Sequence, residues 1–314
     1  MPRDGIVPFH SEASQVTITT MSDTSAKFDQ LAIVGVGLIG GSIALAAKRS
    51  GAAQRVIGFG RNQERLNAAL STQVIDDVAT SPEQLAQAQL IIVCTPVDRI
   101  AGDVLQALAA TQATGSLITD VGSVKGRILD DVQAQSKEHR FVGAHPLAGS
   151  HRSGFEYATA DLFRSRLCLV TPETGRENST ETKRITAFWQ QIGMRVHLMS
   201  AEEHDRILAL TSHLPHLAAS VIAGLVPPEY LGFAATGYRD TTRVAAGDPE
   251  LWSAILSLNA PAMIDGIDEM ITLLQQYREQ ILSGKQQGLV SLLEKARQNR
   301  KQYLDDLIHP DDGT

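Results

Sequence analysis

Cysteine is almost missing from this chain of 314 residues, which holds only Cys94 and Cys168. Both fall in predicted buried strands and read as small core residues, so neither a disulfide nor a metal pair is expected. Long apolar runs are missing as well. None reaches the roughly 20 residues that spanning a bilayer needs. Residues 1–28, rich in Ser, Thr and Asp, lack the apolar stretch of a signal peptide or anchor and are expected to form a disordered leader. Positive charge is not in excess: 28 Lys and Arg against 35 Asp and Glu leave a formal net charge of −7. That balance argues against a general nucleic-acid or membrane-surface role. No basic stripe with interleaved aromatics appears, and no internal repeat. What is present, 43% hydrophobic and 20% charged residues, is the composition of a globular protein with a real core, and the length suits two domains. A cytoplasmic location is the simplest fit.

The most informative absence is one carboxylate. Leu31 to Val34 is a short apolar run of strand type, and apolar residues recur at helical spacing from Leu38 onward. Gly35-Val36-Gly37-Leu38-Ile39-Gly40 therefore sits at a strand-to-helix turn, the context that a G-x-G-x-x-G motif requires. Gly35 permits the tight turn, Gly37 lets backbone approach a pyrophosphate, and Gly40 lets the helix pack on the strand, with helix N–H groups facing the phosphates. The second strand, Arg55 to Phe59, should then end in an acid that bonds the ribose 2′-hydroxyl of NAD. Gly60-Arg61 stands there instead. Nothing repels a 2′-phosphate, and Arg61, helped by Arg65 one helical turn later, is placed to pair with it. The turn predicts a dinucleotide, NADP ahead of NAD.

From Leu31 to about Val170 short apolar runs alternate with amphipathic segments, with strands expected at 31–36, 55–59, 90–95, 116–121, 141–145 and 167–172. A further helix near 180–193 and a strand near 195–199 extend the pattern. Such alternation means an α/β domain, a doubly wound, mostly parallel Rossmann-type sheet, expected over 29–200. After Ser200 strand signals vanish, and an all-helical substrate and dimerisation domain is expected over 201–308. The stretch Trp252 to Leu282 predicts one long apolar-faced helix, longer than the average of about 11–12 residues, and such a helix in a small domain predicts a homodimer.

Candidate chemistry falls at strand and helix ends. Asp120-Val121-Gly122-Ser123-Val124-Lys125 follows a strand and opens a helix, so Ser123 is either a helix cap or a ligand for a substrate hydroxyl or carboxylate. In Gly143-Ala144-His145-Pro146-Leu147-Ala148-Gly149-Ser150 the proline and glycines should aim His145 rigidly into the cleft, where a neutral imidazole can accept a hydroxyl proton as hydride leaves the same carbon. Thr211-Ser212-His213-Leu214-Pro215-His216 places two histidines on one helix face. No third ligand stands at zinc spacing, so substrate contact or a kink at Pro215 is expected and metal is not. Arg239 and Arg243, four apart, suit a bidentate grip on a carboxylate.

Taken in order, GVGLIGGS, CTPVDRI, TDVGSVK, GAHPLAGSHRSG, SHLPH and GYRDTTRVAAGDPELW resemble the prephenate/arogenate dehydrogenase family of tyrosine biosynthesis over residues 29–305. The resemblance implies a cyclohexadienol substrate whose C4 gives hydride to the nicotinamide and its hydroxyl proton to a base as carbon dioxide departs. By matching, His145 is the catalytic histidine and Ser123 bonds the hydroxyl or the histidine. Arg243 binds a substrate carboxylate, His213 and His216 line the pocket, and Arg239 supports. The cofactor set is Gly35, Gly37, Leu38, Ile39, Gly40, Arg61, Thr95 and Pro96. Many prephenate-using relatives carry an acid after HPLAGS where this chain has His151-Arg152; the basic pair favours prephenate as the substrate, whereas NADP use together with GYRDTTR also resembles some arogenate enzymes and keeps arogenate as the alternative. Rival readings are a β-hydroxyacid or imine reductase, which relies on a helical-domain lysine, and a non-catalytic NADPH-sensing module.

Overall fold

The computed structural model describes residues 27–149 and 152–308. The sheet half runs β1 (Phe28–Val34), α1 (Leu38–Ser50), β2 (Ala53–Phe59), α2 (Gln63–Ser71), β3 (Asp77–Val78), β4 (Leu90–Val93), α3 (Ile100–Ala110), β5 (Leu117–Asp120), α4 (Gly126–Gln135), β6 (Phe141–Pro146), β7 (Leu167–Thr171), α5 (Thr180–Gln191) and β8 (Arg195–Leu198). The helical half is α6 (Ala201–Leu208), α7 (Leu214–Leu225), α8 (Thr236–Thr242), α9 (Pro249–Leu258), α10 (Ala260–Leu282) and α11 (Gln286–Ile308). Most of the expected leader, His151 and the last six residues lie outside the described residues. Phe28, read as leader, instead opens β1 with its ring edge-on to Phe188.

The strand order is β3-β2-β1-β4-β5-β6-β7-β8. Neighbours pair in parallel except β6 and β7, which run antiparallel with His145 opposite Leu169. Strands buried on both faces read as continuous apolar runs, and β1 does so. Leu31 and Ile33 pack with Phe188 and Trp189 of α5 on one face, while Ala32 and Val34 pack with Val104 of α3 and Ile128 of α4 on the other. Strand order reverses between β1 and β4, which opens a crevice at their carboxyl ends. The two-residue β3 is too short to show a period, and Pro82–Gln87 forms a 3-10 turn.

The helical half departs from the sequence expectation in two places. The helix expected over 252–282 is broken at Asn259 between α9 and α10, because Pro261 near the start of α10 offers no N–H to continue the ladder. Residues 201–225 also form one continuous helix that is long and apolar enough, by length and composition, to cross a membrane. The charges Glu202, Glu203, Asp205 and Arg206 hid it as an apolar run. Core helices meet the same test, and this one carries buried His204, Asp205, His213 and His216. Between α6 and α7 it widens into a π-turn over Ala209–His213, just before Pro215. The missing proline N–H and its ring account for the widening.

Candidate active site

A cleft of about 1030 Å³ opens where the strand order reverses. Gly35, Gly37, Leu38 and Ile39 line it after β1, Gly60, Arg61, Asn62 and Arg65 after β2, and Thr95 and Pro96 after β4. Gly40 lies beneath the lining: a Cβ there would fall 2.3 Å from the Gly35 carbonyl oxygen and 2.8 Å from the Ile33 side chain. A Cβ on Gly37 would meet nothing within 4 Å, and no side chain caps α1. Open space before an uncapped helix N-terminus fits the pyrophosphate of a dinucleotide. At the tip of β2, Asn62 is engaged in capping α2 by accepting from the Arg65 N–H at 2.9 Å, which leaves Gly60 and Arg61 facing the cleft where the acid would stand.

Deeper in, Ser123 follows β5 and His145 ends β6, and both line the cleft. Ser123 is not the cap of α4. That duty falls to Asp205 of α6, whose carboxylate accepts the Lys125 and Gly126 N–H groups at 2.8 Å each. Lys125 is buried, ion-paired with Asp120, and donates to the Ala144 carbonyl at 3.0 Å. Asp120 in turn accepts from the Gly122 and Ala144 N–H groups. The floor of the site is thus a closed polar lattice that ties the Ser123 turn to the strand end carrying His145. His145 Nδ1 lies 2.9 Å from His204 Nε2, and His204 Nδ1 lies 2.8 Å from the Asp205 carboxylate. Burial, reinforced by His204, Lys125 and His213, holds His145 well below the usual histidine pKa. Burial also lowers His204, against the pull of Asp205.

The helical half closes the cleft with Thr211, Ser212, His213, Leu251, Trp252 and Ile255. Asn259 Nδ2 donates to the Asp205 carbonyl at 2.8 Å and to His213 Nδ1 at 3.1 Å. His213 is therefore protonated on Nε2, and burial pushes its pKa down to about 4. That buried Nε2 donor has no partner among the described residues. His216 is not on the cleft wall; its ring stacks on Trp252 with centroids 3.5 Å apart and supports that wall from behind. Arg239 pairs with Asp240 on the exposed surface of α8, and Arg243 is exposed in the turn that follows; neither lines the cleft of a single chain. Among the described residues no group of three or more His, Cys, Asp or Glu is placed to hold a metal ion. Lys125, His204, Asp205, Asn259 and Trp252 escaped the sequence reading. Lys125, at the end of TDVGSVK, and Trp252, at the end of GDPELW, sat in segments singled out for chemistry, and Asn259 in the stretch expected as one long helix.

Two family models match the chain: prephenate dehydrogenase, nucleotide-binding domain, over residues 43–198, and prephenate dehydrogenase, dimerization domain, over residues 200–295. The chain is 35% identical to the cyclohexadienyl dehydrogenase of Zymomonas mobilis over 288 residues, 88% of this chain and 96% of that one. It is 35% identical to the prephenate dehydrogenase of Bacillus subtilis over 285 residues, 87% of this chain and 75% of that one. Among solved structures it is similar to the prephenate dehydrogenase of A. aeolicus in complex with hydroxyphenyl propionate and NAD+. The TM-score there is 0.81 at 29% identity, covering 89% of this chain and 100% of the other.

Proposed function

The chain belongs to the prephenate dehydrogenase family, and from that premise we propose that it oxidatively decarboxylates prephenate to 4-hydroxyphenylpyruvate in tyrosine biosynthesis. The observation that carries this reading is the meeting of the glycine turn, Ser123 and His145 on the wall of one cleft. Bound NAD(P) supplies the hydride acceptor, held by the α1 N-terminus and the turns after β2 and β4. His145, neutral in its buried setting, takes the proton of the substrate hydroxyl, and Ser123 aligns that hydroxyl or the imidazole. General-base assistance of this kind contributes about 10²–10⁴-fold. Loss of carbon dioxide makes the ring aromatic, so the protein mainly needs alignment and a proton acceptor.

Arg243, with Arg239 in support, is assigned to the substrate's side-chain carboxylate. Since both lie outside the cleft of a single chain, that role requires α8 and its following turn to move or to meet a second copy. The Nε2–H of His213 is a ready donor to a substrate oxygen. NADP is favoured over NAD because Gly60-Arg61 replaces the acid, although the A. aeolicus relative holds NAD+. Prephenate is favoured over arogenate because Arg152 lines the cleft and a cation suits a keto acid better than an amine. A homodimer through the helical half and a cytoplasmic site of action complete the proposal.

The deciding experiment is a two-by-two assay of prephenate and arogenate against NAD and NADP. The expected result is fastest turnover of prephenate with NADP. Faster turnover of arogenate reverses the substrate assignment, and tight NADPH binding with no turnover of either replaces the enzyme by a sensor.

A further inference from the structure

We infer that His204 and Asp205 are positioning residues that fix the proton of His145 on Nδ1 and so leave Nε2 free as the base. The inference rests on the reading of His145 as proton acceptor and follows from donor and acceptor roles along the chain of contacts. Asp205 sits at the N-terminus of α4, where two backbone N–H groups and the helix dipole stabilise a carboxylate. An ionised carboxylate only accepts, so the hydrogen in the 2.8 Å contact belongs to His204 Nδ1. A neutral His204 with hydrogen on Nδ1 has its lone pair on Nε2. That atom is 2.9 Å from His145 Nδ1, so the contact is a hydrogen bond only if His145 Nδ1 donates. Neutral His145 then carries its lone pair on Nε2. Every link has one hydrogen, and the reversed arrangement would face a lone pair of His204 toward the carboxylate.

The charges around the pair come from several elements. Lys125 precedes α4 and is matched by Asp120 of β5, His213 comes from the π-turn, and the neutral thiol of Cys168 lies on β7. When Nε2 takes a proton, Asp205 is the anion that steadies the new cation through His204. In the reaction, the C4–H pair leaves as hydride to NAD(P) and the hydroxyl proton moves to Nε2. As the bond to carbon dioxide breaks, its electron pair enters the ring, and the ring oxygen takes the proton back. No net proton is released, so a base with a fixed tautomer completes the cycle alone. Neither His204 nor Asp205 lines the cleft itself: the chain crosses from the helical half to the sheet half, and the tautomer is set only when the two are docked.

His204→Ala and His204→Gln separate this role from packing, with His145→Asn as the control, assayed with prephenate and saturating cofactor. The alanine variant is expected to lose about 10–100-fold in kcat, less than the loss of the base itself, with KM within about threefold. A glutamine amide can donate to Asp205 and accept from His145, and it is expected to restore most of kcat. Nitrogen-15 NMR of the wild-type imidazoles is expected to show His145 unprotonated at Nε2, and the alanine variant to shift it toward the Nε2–H tautomer that free imidazole side chains prefer. Wild-type His145 protonated at Nε2 overturns the inference without any variant. So does full kcat in folded His204→Ala, or failure of glutamine to restore it. If His145→Asn itself retains turnover, it is the base assignment that falls.

Discussion

At the scale of single residues, burial keeps the histidines of the site neutral. Because His145 is held well below its ordinary value, the acid limb of kcat/KM is expected to lie below pH 6.5, and a pH–rate profile checks it. His213 gives a stability prediction. Its folded pKa of about 4 lies below the unfolded value of 6.5, so the unfolded chain binds more protons between these two. Its contribution is full above pH 6.5 and is lost as pH falls through about 4, by about 3 kcal/mol. Urea midpoints at pH 7.5 and 4.5 are expected to drop less in His213→Gln than in wild type. At the tip of β2, Arg61→Ala is expected to weaken NADP by about 10–100-fold, the worth of a charge-assisted hydrogen bond, and NAD little; equal losses would unseat Arg61 as the phosphate ligand. His145 and Ser123 were legible because each ends a strand in a turn-rich motif. His204 and Asp205 were not, since they stand 59 and 60 residues from His145 and meet it only when the helical half folds back. Lys125 was passed over because lysines are almost never buried unless paired, and its partner Asp120 becomes one only through the turn between them.

At the scale of elements, Asn259 shows how a break can be functional. Helical periodicity runs through 252–282 without interruption, and the eye is drawn to the apolar spacing rather than to Pro261. The break turns the Asn259 amide inward, where one side chain bonds the Asp205 carbonyl and His213 Nδ1. Asn259→Ala would leave the buried His213 Nδ1 without its donor, while the Asp205 carbonyl keeps the Ala209 N–H, at about 1–3 kcal/mol. A lowered urea midpoint is expected, together with a weaker KM as His213 loses its orientation. An unchanged midpoint would mean that α9 and α10 are held by packing alone. The π-turn is similar: SHLPH was readable as a site, but apolar spacing cannot distinguish a π-turn from an α-turn, and the widening is what swings Thr211, Ser212 and His213 onto the cleft wall.

At the scale of the molecule, the sequence's change of pattern at Ser200 made the two halves legible, whereas their contact was not. α9 belongs in sequence to the helical half, yet Ile255 packs with Val97 and Ile100 of the sheet half. Elsewhere the helical half is wet on apolar faces: Phe233 is 87% exposed, Leu225 72% and Leu282 69%. Surface of that kind marks an association face, and sedimentation is expected to show a dimer whose thermal midpoint falls on dilution. A monomer with a concentration-independent midpoint would contradict it. The same architecture bears on the proton. His204 is wholly buried, and the Asp205 carboxylate behind it, 11% exposed, is already engaged by two backbone groups, so the chain behind His145 is built to hold a proton in place rather than to pass it to an outlet. Since the oxygen that gives up a proton at the start takes it back at the end, none is required. The cleft can stay sealed from bulk solvent through the whole chemical step, and the one acid the reaction delivers to the solution is the carbon dioxide that leaves it.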